Sequence, residues 1–311
     1  MKATATIPST SSASSTTSAS PRIDFPKQIT DAQVRSYMDD GFLVVRNVFT
    51  RDEINEVFED IITILRGGYE CPQLKPVPAS MSDEEVMRSF SGIIQPHFIS
   101  PVVLRYIKHP KVCGILSQIV AAHLPFWDGS IKCMQSMVFV KPPGLPGQAW
   151  HQDELFIPTR DRSLVGAWVA LDDATVENGC LWVVPRSHRM GYLYPNREHT
   201  RPGEWDWAPE SYGFDESEAV PVEVKAGDAI FFHGYLLHGS YQNRSQIYRR
   251  AIVNHYMNAW SFLPWGGGGT ADNRKIVPAA GIDPYAWKGY EMPTNDVFVR
   301  PLSLEELKKR Q

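Results

Sequence analysis

The chain has 311 residues, of which 43% are hydrophobic, and it carries a formal net charge of -4. A chain of this size and apolar content buries a full core as a single domain. Its slightly acidic balance argues against a general nucleic-acid binder, which normally shows a basic surplus, and against a polybasic anchor on anionic lipid. We therefore expect neither nucleic acid nor a membrane among its partners.

Residues 1–24 form a Ser/Thr-rich segment that lacks the apolar stretch of a secretory signal. Such a segment buries too little apolar surface to offset the entropy lost on ordering, so a disordered tail is predicted. We expect a cytoplasmic protein, with import into an organelle through this tail as the alternative. The final residues, Lys308-Lys309-Arg310-Gln311, differ from the SKL signal of peroxisomal import.

The cysteines are far apart in the sequence and form no CxxC pair. Free buried thiols are therefore predicted, rather than a disulfide framework or a structural zinc site. The four positions are Cys71, Cys113, Cys133 and Cys180.

The first ordered elements have clear boundary signals. Thr30 to Gln33 form a capping box that opens a short helix, and Gly41 is a typical helix stop. The apolar, β-branched run over residues 42–48 predicts a buried strand. Ordered structure is thus expected to begin near residue 25.

A second capping box, from Thr50 to Glu53, opens a longer helix that Gly67 ends. Its apolar residues recur at helical spacing and form one stripe: Ile54, Val57, Phe58, Ile61, Ile62 and Leu65. Further helices are predicted from Asp83 to Phe90 and from Pro110 to Val120. Residues 25–125 are therefore expected to form a helical N-terminal region.

Short strands separated by turn residues predominate over residues 130–260, which predicts a β-sandwich or jelly-roll core with helices packed on one face. A C-terminal extension follows over residues 261–311. The irregular stretch 190–219 is predicted to be a lid or substrate loop. The predicted strands are Met134–Lys141, Gly166–Leu171, Cys180–Val184, Val222–Lys225, Ala229–Phe232 and Arg250–Met257.

Three motifs suggest chemistry at a metal. In the segment WHQD, His151 and Asp153 are two residues apart, so an extended backbone points both side chains to one face. A histidine of the later segment FFHGYLLHGS, either His233 or His238, would complete a two-histidine, one-carboxylate triad. That ligand set leaves adjacent coordination positions open, as a non-haem iron(II) oxygenase requires.

An arginine pair follows these histidines. 2-Oxoglutarate chelates iron through its keto-acid end and leaves a distal carboxylate, for which a planar guanidinium is the natural partner. Adjacent strand residues point in opposite directions, so either Arg249 or Arg250 is expected to face the pocket.

These motifs together resemble the phytanoyl-CoA dioxygenase (PhyH) family of iron and 2-oxoglutarate enzymes. The resemblance extends from about Asp31 to the region of Tyr256. It rests on the following segments: DGFLVVRNVFT, QSMVFVKPPG, WHQDE, AWVALDDATVENGCLWVVPRSH, VKAGDAIFFHGYLLHGSYQNRS and YRRAI.

The family resemblance implies a double-stranded β-helix (jelly-roll, cupin-like) core with flanking helices in a single domain. It implies Fe(II) ligands at His151, Asp153 and His238, which selects His238 over His233. It also implies 2-oxoglutarate contacts, with Arg249 on the distal carboxylate and further contacts from Ser240, Trp168, Gln135 and Met137.

The reaction expected from this resemblance is hydroxylation of a small organic substrate, with 2-oxoglutarate and O2 converted to succinate and CO2. Halogenating relatives replace the ligating carboxylate by a small residue, whereas this chain keeps Asp153. The alternatives are a non-catalytic cupin-like protein that binds a metal or ligand, and an oxygenase that acts on a protein.

Overall fold

The computed structural model describes residues 26–262 and 275–302. The Ser/Thr-rich segment 1–24 and parts of the extension 261–311 lie outside the described residues. Within the described ranges, no helix is long and apolar enough to cross a membrane. The four cysteines are free and buried, as predicted.

Five helices lie in the N-terminal third of the described chain. The first two begin at the predicted capping boxes, in which Thr30 and Thr50 exchange hydrogen bonds with Gln33 and Glu53. Gly41 ends the first helix with φ 83°, a left-handed conformation that glycine adopts without a steric cost. The helices are α1 (Asp31–Asp40), α2 (Arg51–Leu65), α3 (Asp83–Arg88), α4 (Pro101–Ile107) and α5 (Pro110–Ile119).

Thirteen strands are described. They are β1 (Phe42–Val45), β2 (Phe90–Ile94), β3 (Ile131–Lys141), β4 (Val165–Ala170), β5 (Leu181–Val183), β6 (Asn196–Arg197), β7 (Glu210–Ser211), β8 (Val220–Val222), β9 (Ala229–His233), β10 (His238–Ser240), β11 (Arg249–Asn258), β12 (Val277–Ala280) and β13 (Phe298–Pro301).

The strands form a large sheet and a small sheet. The large sheet has the order β1-β9-β4-β11-β3-β2-β13, with β12 also paired to β3. The small sheet has the order β10-β5-β8, and β6 and β7 form a separate pair within the predicted lid region. All of the pairings are antiparallel, which is consistent with the predicted jelly-roll, cupin-like core. The predicted fold class is confirmed.

The two faces of the large sheet bury different partners. Alternate residues such as Val138, Phe231 and Ile252 pack with the helices in the main hydrophobic core. The intervening residues, among them Trp168 and Val253, pack against the small sheet in a second core. Successive side chains of a strand point to opposite faces. The register in which the strands pair therefore decides which residues enter the space between the sheets.

The helices differ from the prediction at two points. The helix predicted to continue to Phe90 ends at Arg88, and Phe90 instead begins β2. Phe90 is 1% exposed, so its burial in the core, rather than its helical spacing, decides its conformation. Helix α4 was not predicted, although Ser100 caps its first turn and Pro101 occupies its first position.

Candidate active site

Two histidines are held side by side by a short antiparallel bridge. His151 follows β3, and His238 begins β10. The amide of each donates to the carbonyl of the other, with N···O distances of 2.9 and 3.0 Å. The ring centroids consequently lie 4.2 Å apart, although the residues are distant in the sequence.

Asp153 completes the cluster that the sequence predicted. Its Oδ1 lies 3.5 Å from His151 Nε2 and 3.7 Å from His238 Nε2. One potential ligand atom from each residue lies within 4.8 Å of the other two, and all three residues are buried. Two imidazole nitrogens and a carboxylate oxygen at this spacing fit a divalent transition metal that keeps open coordination positions.

Backbone carbonyls orient both imidazoles. Nδ1 of His151 donates to the carbonyl of Ala149 at 2.8 Å, and Nδ1 of His238 donates to the carbonyl of Leu236 at 2.9 Å. A proton on Nδ1 leaves the lone pair on Nε2, the atom that faces Asp153. The two rings are therefore held in the tautomer that a metal ligand requires.

The electrostatics of the cluster favour a cation. Burial and the neighbouring His151 lower the pKa of His238 to about 4, so this ring is neutral at pH 7. Burial acts to raise the pKa of Asp153, but His238 and His255 outweigh it and hold that pKa well below its ordinary value. The pKa of His151 is raised. Burial acts to lower this pKa, but the Asp153 carboxylate outweighs burial. An ionised carboxylate thus lies among imidazoles, where a metal ion would balance its charge.

His255, which was not singled out from the sequence, contacts the cluster. Its Nε2 donates to Asp153 Oδ2 at 2.9 Å, which leaves Oδ1 facing the two histidines. His255 and Arg249 are an even number of residues apart on β11, so their side chains point to the same face of the sheet. This alternation would have identified His255 from the sequence. A bulge follows it, between His255 and Tyr256. His255 therefore fixes how the carboxylate is presented.

His233, the alternative third ligand, lies elsewhere. It ends β9, and its ring is 5.2 Å from that of His188, outside the His-Asp-His cluster. Burial lowers the pKa of His233 to about 3. In β9, Phe231 packs in the helix-facing core, so strand alternation places His233 on that same face.

The two arginines at the start of β11 have opposite environments. Arg250 donates through Nε and Nη2 to the carboxylate of Asp172, at 2.7 Å each, and lies against Phe58. Arg249 is 5% exposed, and its Nε has no hydrogen-bond partner. Within residues 26–262 and 275–302, no carboxylate lies within ion-pair distance of Arg249. Burial lowers its pKa to about 10. A buried, unpaired guanidinium fits the distal carboxylate of 2-oxoglutarate.

A buried lysine lies beside Arg249. Lys141 pairs with Arg249 across β3 and β11, and its Nζ donates to Ser240 Oγ at 2.9 Å. Burial, together with the charge of Arg249, lowers the pKa of Lys141 well below its ordinary value. Ser240 Oγ also accepts from the amide of Gln148 at 3.1 Å. The sequence reasoning did not identify Lys141, whose position opposite Arg249 follows only from the register.

The remaining predicted contacts lie on the same face of the large sheet as Arg249. Val253 of β11 pairs with both Met137 of β3 and Trp168 of β4. The guanidinium carbon of Arg249 is 5.6 Å from the centroid of the Trp168 ring. Gln135 pairs with His255 in the adjacent row. These side chains together form a wall between the cluster and Arg249.

Gln152, between the two ligands of the WHQD segment, points away from the cluster and fixes the surrounding loops. Its side-chain amide donates to the carbonyl of Tyr235 at 2.7 Å, and its oxygen accepts from the amide of Tyr194 at 2.7 Å. Gln152 is 1% exposed. It therefore ties the backbone of the metal-binding segment to the lid region and to the loop before His238.

Several known proteins resemble this chain in sequence. The sequence model described as phytanoyl-CoA dioxygenase (PhyH) matches residues 37–251. A probable phytanoyl-CoA dioxygenase of Caenorhabditis elegans is 29% identical over 241 residues, which cover 73% of this chain and 74% of that protein. Phytanoyl-CoA dioxygenase 1 of Oryza sativa subsp. japonica is 39% identical over 137 residues, which cover 42% of this chain and 48% of that relative, about half its length.

Solved structures share the fold at low sequence identity. The apo form of the non-heme monooxygenase ThoJ aligns with a TM-score of 0.60 at 21% identity, over 81% of this chain and 84% of that chain. EctD from S. alaskensis with bound Fe aligns with a TM-score of 0.55 at 20% identity, over 77% of this chain and 83% of that chain.

The fold and the buried His-Asp-His cluster define the class of 2-oxoglutarate-dependent non-haem iron dioxygenases. Iron and 2-oxoglutarate, the cofactors predicted from the sequence, are those of this class. The chain belongs to the phytanoyl-CoA dioxygenase (PhyH) family, as its motifs predicted.

Proposed function

We propose that this chain couples the decarboxylation of 2-oxoglutarate to the hydroxylation of an unactivated C–H bond in a small organic substrate. O2 contributes one oxygen atom to the product alcohol and the other to succinate, and CO2 leaves. One observation carries the proposal: a buried His-Asp-His cluster lies on the same side of the sheet as a buried arginine without an anionic partner. Bound iron(II) would supply the activation of dioxygen.

In this proposal the metal is held by Nε2 of His151, Nε2 of His238 and Oδ1 of Asp153. The hydrogen bond from His255 occupies Oδ2 of Asp153, so the carboxylate binds through one oxygen. A metal held by three protein ligands would keep coordination positions free for the co-substrate and dioxygen. The carbonyls of Ala149 and Leu236 keep both imidazoles aligned throughout turnover.

The distal carboxylate of 2-oxoglutarate is assigned to Arg249, with Ser240 as a further donor. Lys141 donates to the Ser240 hydroxyl oxygen and holds this hydroxyl in place. Trp168, Met137 and Gln135 form the wall along which the carbon chain lies. Because this wall is largely apolar, it excludes water from the path between Arg249 and the metal.

A small-molecule substrate is favoured by the structural relatives. The structure of the epimerase SnoN holds Fe3+, alpha ketoglutarate and nogalamycin RO, and that of EctD holds 2-oxoglutarate and 5-hydroxyectoine. Hydroxylation is favoured because Asp153 occupies the coordination position that halogenating relatives leave vacant. A screen of candidate metabolites for stimulated succinate release, followed by 18O2 labelling of the product, tests both points. An alcohol without 18O would contradict hydroxylation.

Binding and turnover are tested separately. Anaerobic addition of iron(II) and 2-oxoglutarate should give the weak visible charge-transfer band of the chelate, and air should then give succinate. Asp153→Ala and His238→Ala should each abolish both signals. His233→Ala is the matched control, since His233 lies outside the cluster, and should retain them. A wild-type protein with neither band nor succinate would favour a non-catalytic cupin-like binder.

We further propose that residues 25–311 act as one catalytic domain and that the protein works in the cytoplasm. The support for a single unit is that β1 and β13, from opposite ends of the described chain, join the same sheet. Localisation of a fluorescent fusion of the full chain tests the second statement, with an organellar pattern as the contrary result.

A further inference from the structure

A second cavity, of about 450 Å³, lies between α1, the end of α5 and the loops near Arg162, His188 and Tyr235. None of the residues that line it belongs to the His-Asp-His cluster. The cavity is separated from the space between the sheets by β9, because His233 faces it while Phe232 packs on the other face of that strand.

One wall of this cavity is apolar. Met38 of α1 and Ile119 of α5 line it together with Val120 and Leu124. Ile119 and Val120 also belong to the main hydrophobic core, so this wall is fixed by packing. An occupant with an apolar part would bury that part here at about 25 cal/mol per Å².

The opposite wall is cationic. Arg160, Arg162 and Arg189 line it with a single acidic residue, Asp161. The carboxylate of Asp161 already accepts hydrogen bonds from Ser163 at 2.6 Å and Asn258 at 3.0 Å. Arg189 is paired with Asp39, but Arg160 and Arg162 have no carboxylate partner in the part of the chain that the structure describes. The wall therefore has an uncompensated positive charge in a protein whose net charge is -4.

The exposed side chain of Arg162 lies against Tyr235 and Gly191. The φ of Arg162, 57°, is in the left-handed region, which side-chain-bearing residues adopt at an energetic cost. Its guanidinium carbon is 5.5 Å from the centroid of the Tyr235 ring. A Cβ on Gly191, whose own φ is 65°, would lie 2.5 Å from Nη1 of Arg162. Because Gly191 has no side chain, the guanidinium of Arg162 fits beside it.

We propose that this cavity binds a small organic anion. Arg160 and Arg162 hold its phosphate or carboxylate group, and Met38, Ile119 and Leu124 pack against its apolar part. The site is separate from the metal centre and does not depend on the proposed reaction.

The proposal is tested by isothermal titration calorimetry on the whole chain. The protein is first loaded anaerobically with iron(II) and saturating 2-oxoglutarate, so that the anion site at Arg249 is filled. Hexyl phosphate, hexanoate and inorganic phosphate are then titrated. One site per chain is expected, and one of the two hexyl ligands should bind at least tenfold more tightly than inorganic phosphate. The tighter of the two identifies the head group.

Variants localise this binding. Arg162→Gln should weaken the preferred ligand at least tenfold. Arg160→Gln should weaken it about fivefold while the melting temperature without ligand stays unchanged, because Arg160 is an exposed residue of the cationic wall. Arg35→Gln, on an exposed part of α1 outside the cavity, should bind like the wild type.

Absence of binding to all three probes would overturn the proposal. Unchanged affinity in both Arg162→Gln and Arg160→Gln would also overturn it, since the ligand would then lie elsewhere. Should Arg162→Gln fail to fold, Arg160→Gln decides the question alone.

Discussion

Removal of the Arg249 charge should stabilise the unliganded protein and weaken its binding of 2-oxoglutarate. Burial lowers the pKa of Arg249 to about 10 from an ordinary value of 12.5. At 1.36 kcal/mol per pH unit, this difference corresponds to about 3 kcal/mol of lost stability. The charged guanidinium is the form that burial disfavours, so the cost is fully present at pH 7 and is relieved only as the pH rises through about 10.

We therefore expect Arg249→Met, which keeps the length but removes the charge, to raise the free energy of unfolding of the unliganded protein by up to about 3 kcal/mol. The same substitution removes the partner of the distal carboxylate. Loss of one partner of a buried charged pair costs about 3 kcal/mol or more, so the KM for 2-oxoglutarate should rise at least about 100-fold.

The assay is urea denaturation with and without 2-oxoglutarate, together with succinate release at varied 2-oxoglutarate. Arg250→Met is the matched control. Loss of its two hydrogen bonds to Asp172 should lower the free energy of unfolding by about 1 to 3 kcal/mol and leave the KM for 2-oxoglutarate unchanged. The reasoning is refuted if Arg249→Met destabilises the unliganded protein and retains its affinity for 2-oxoglutarate, or if Arg250→Met loses that affinity.

Three further outcomes are expected. His255→Ala should weaken iron(II) binding about 10- to 100-fold in competition with a chromogenic chelator, because Asp153 loses the donor that orients it. Gly147→Ala should lower the free energy of unfolding in urea by about 3 kcal/mol or more, since its Cβ would lie 1.8 Å from the carbonyl oxygen of Ser240. Deletion of residues 1–24 should leave kcat/KM for 2-oxoglutarate unchanged, because the segment is predicted not to join the catalytic domain.

Contrary results would be specific. Wild-type iron affinity in His255→Ala would mean that the His255 contact does not position the carboxylate. Gly147→Ala at wild-type stability would mean that the strand carrying Ser240 shifts without cost. Loss of turnover in the deletion variant would assign the tail a role in catalysis.

The sequence by itself determined the features that depend on neighbouring residues. The capping boxes at Thr30 and Thr50 fixed the starts of α1 and α2, because the hydrogen bonds that form them span three residues. The alternation of an extended backbone identified His151 and Asp153 as a pair on one face, and the number of short strands indicated a β-sandwich or jelly roll. Local geometry carries all of these conclusions.

Tertiary structure decided the features that depend on which strands pair and in what register. The bridge between His151 and His238 makes His238 the third member of the cluster. Arg249 lies on the face of β11 that meets the small sheet, whereas Arg250 lies on the opposite face. His255 and Lys141 join the site for the same reason. The free energy of burial is gained over the whole sheet at once, so no segment alone specifies which of its alternating faces turns inward.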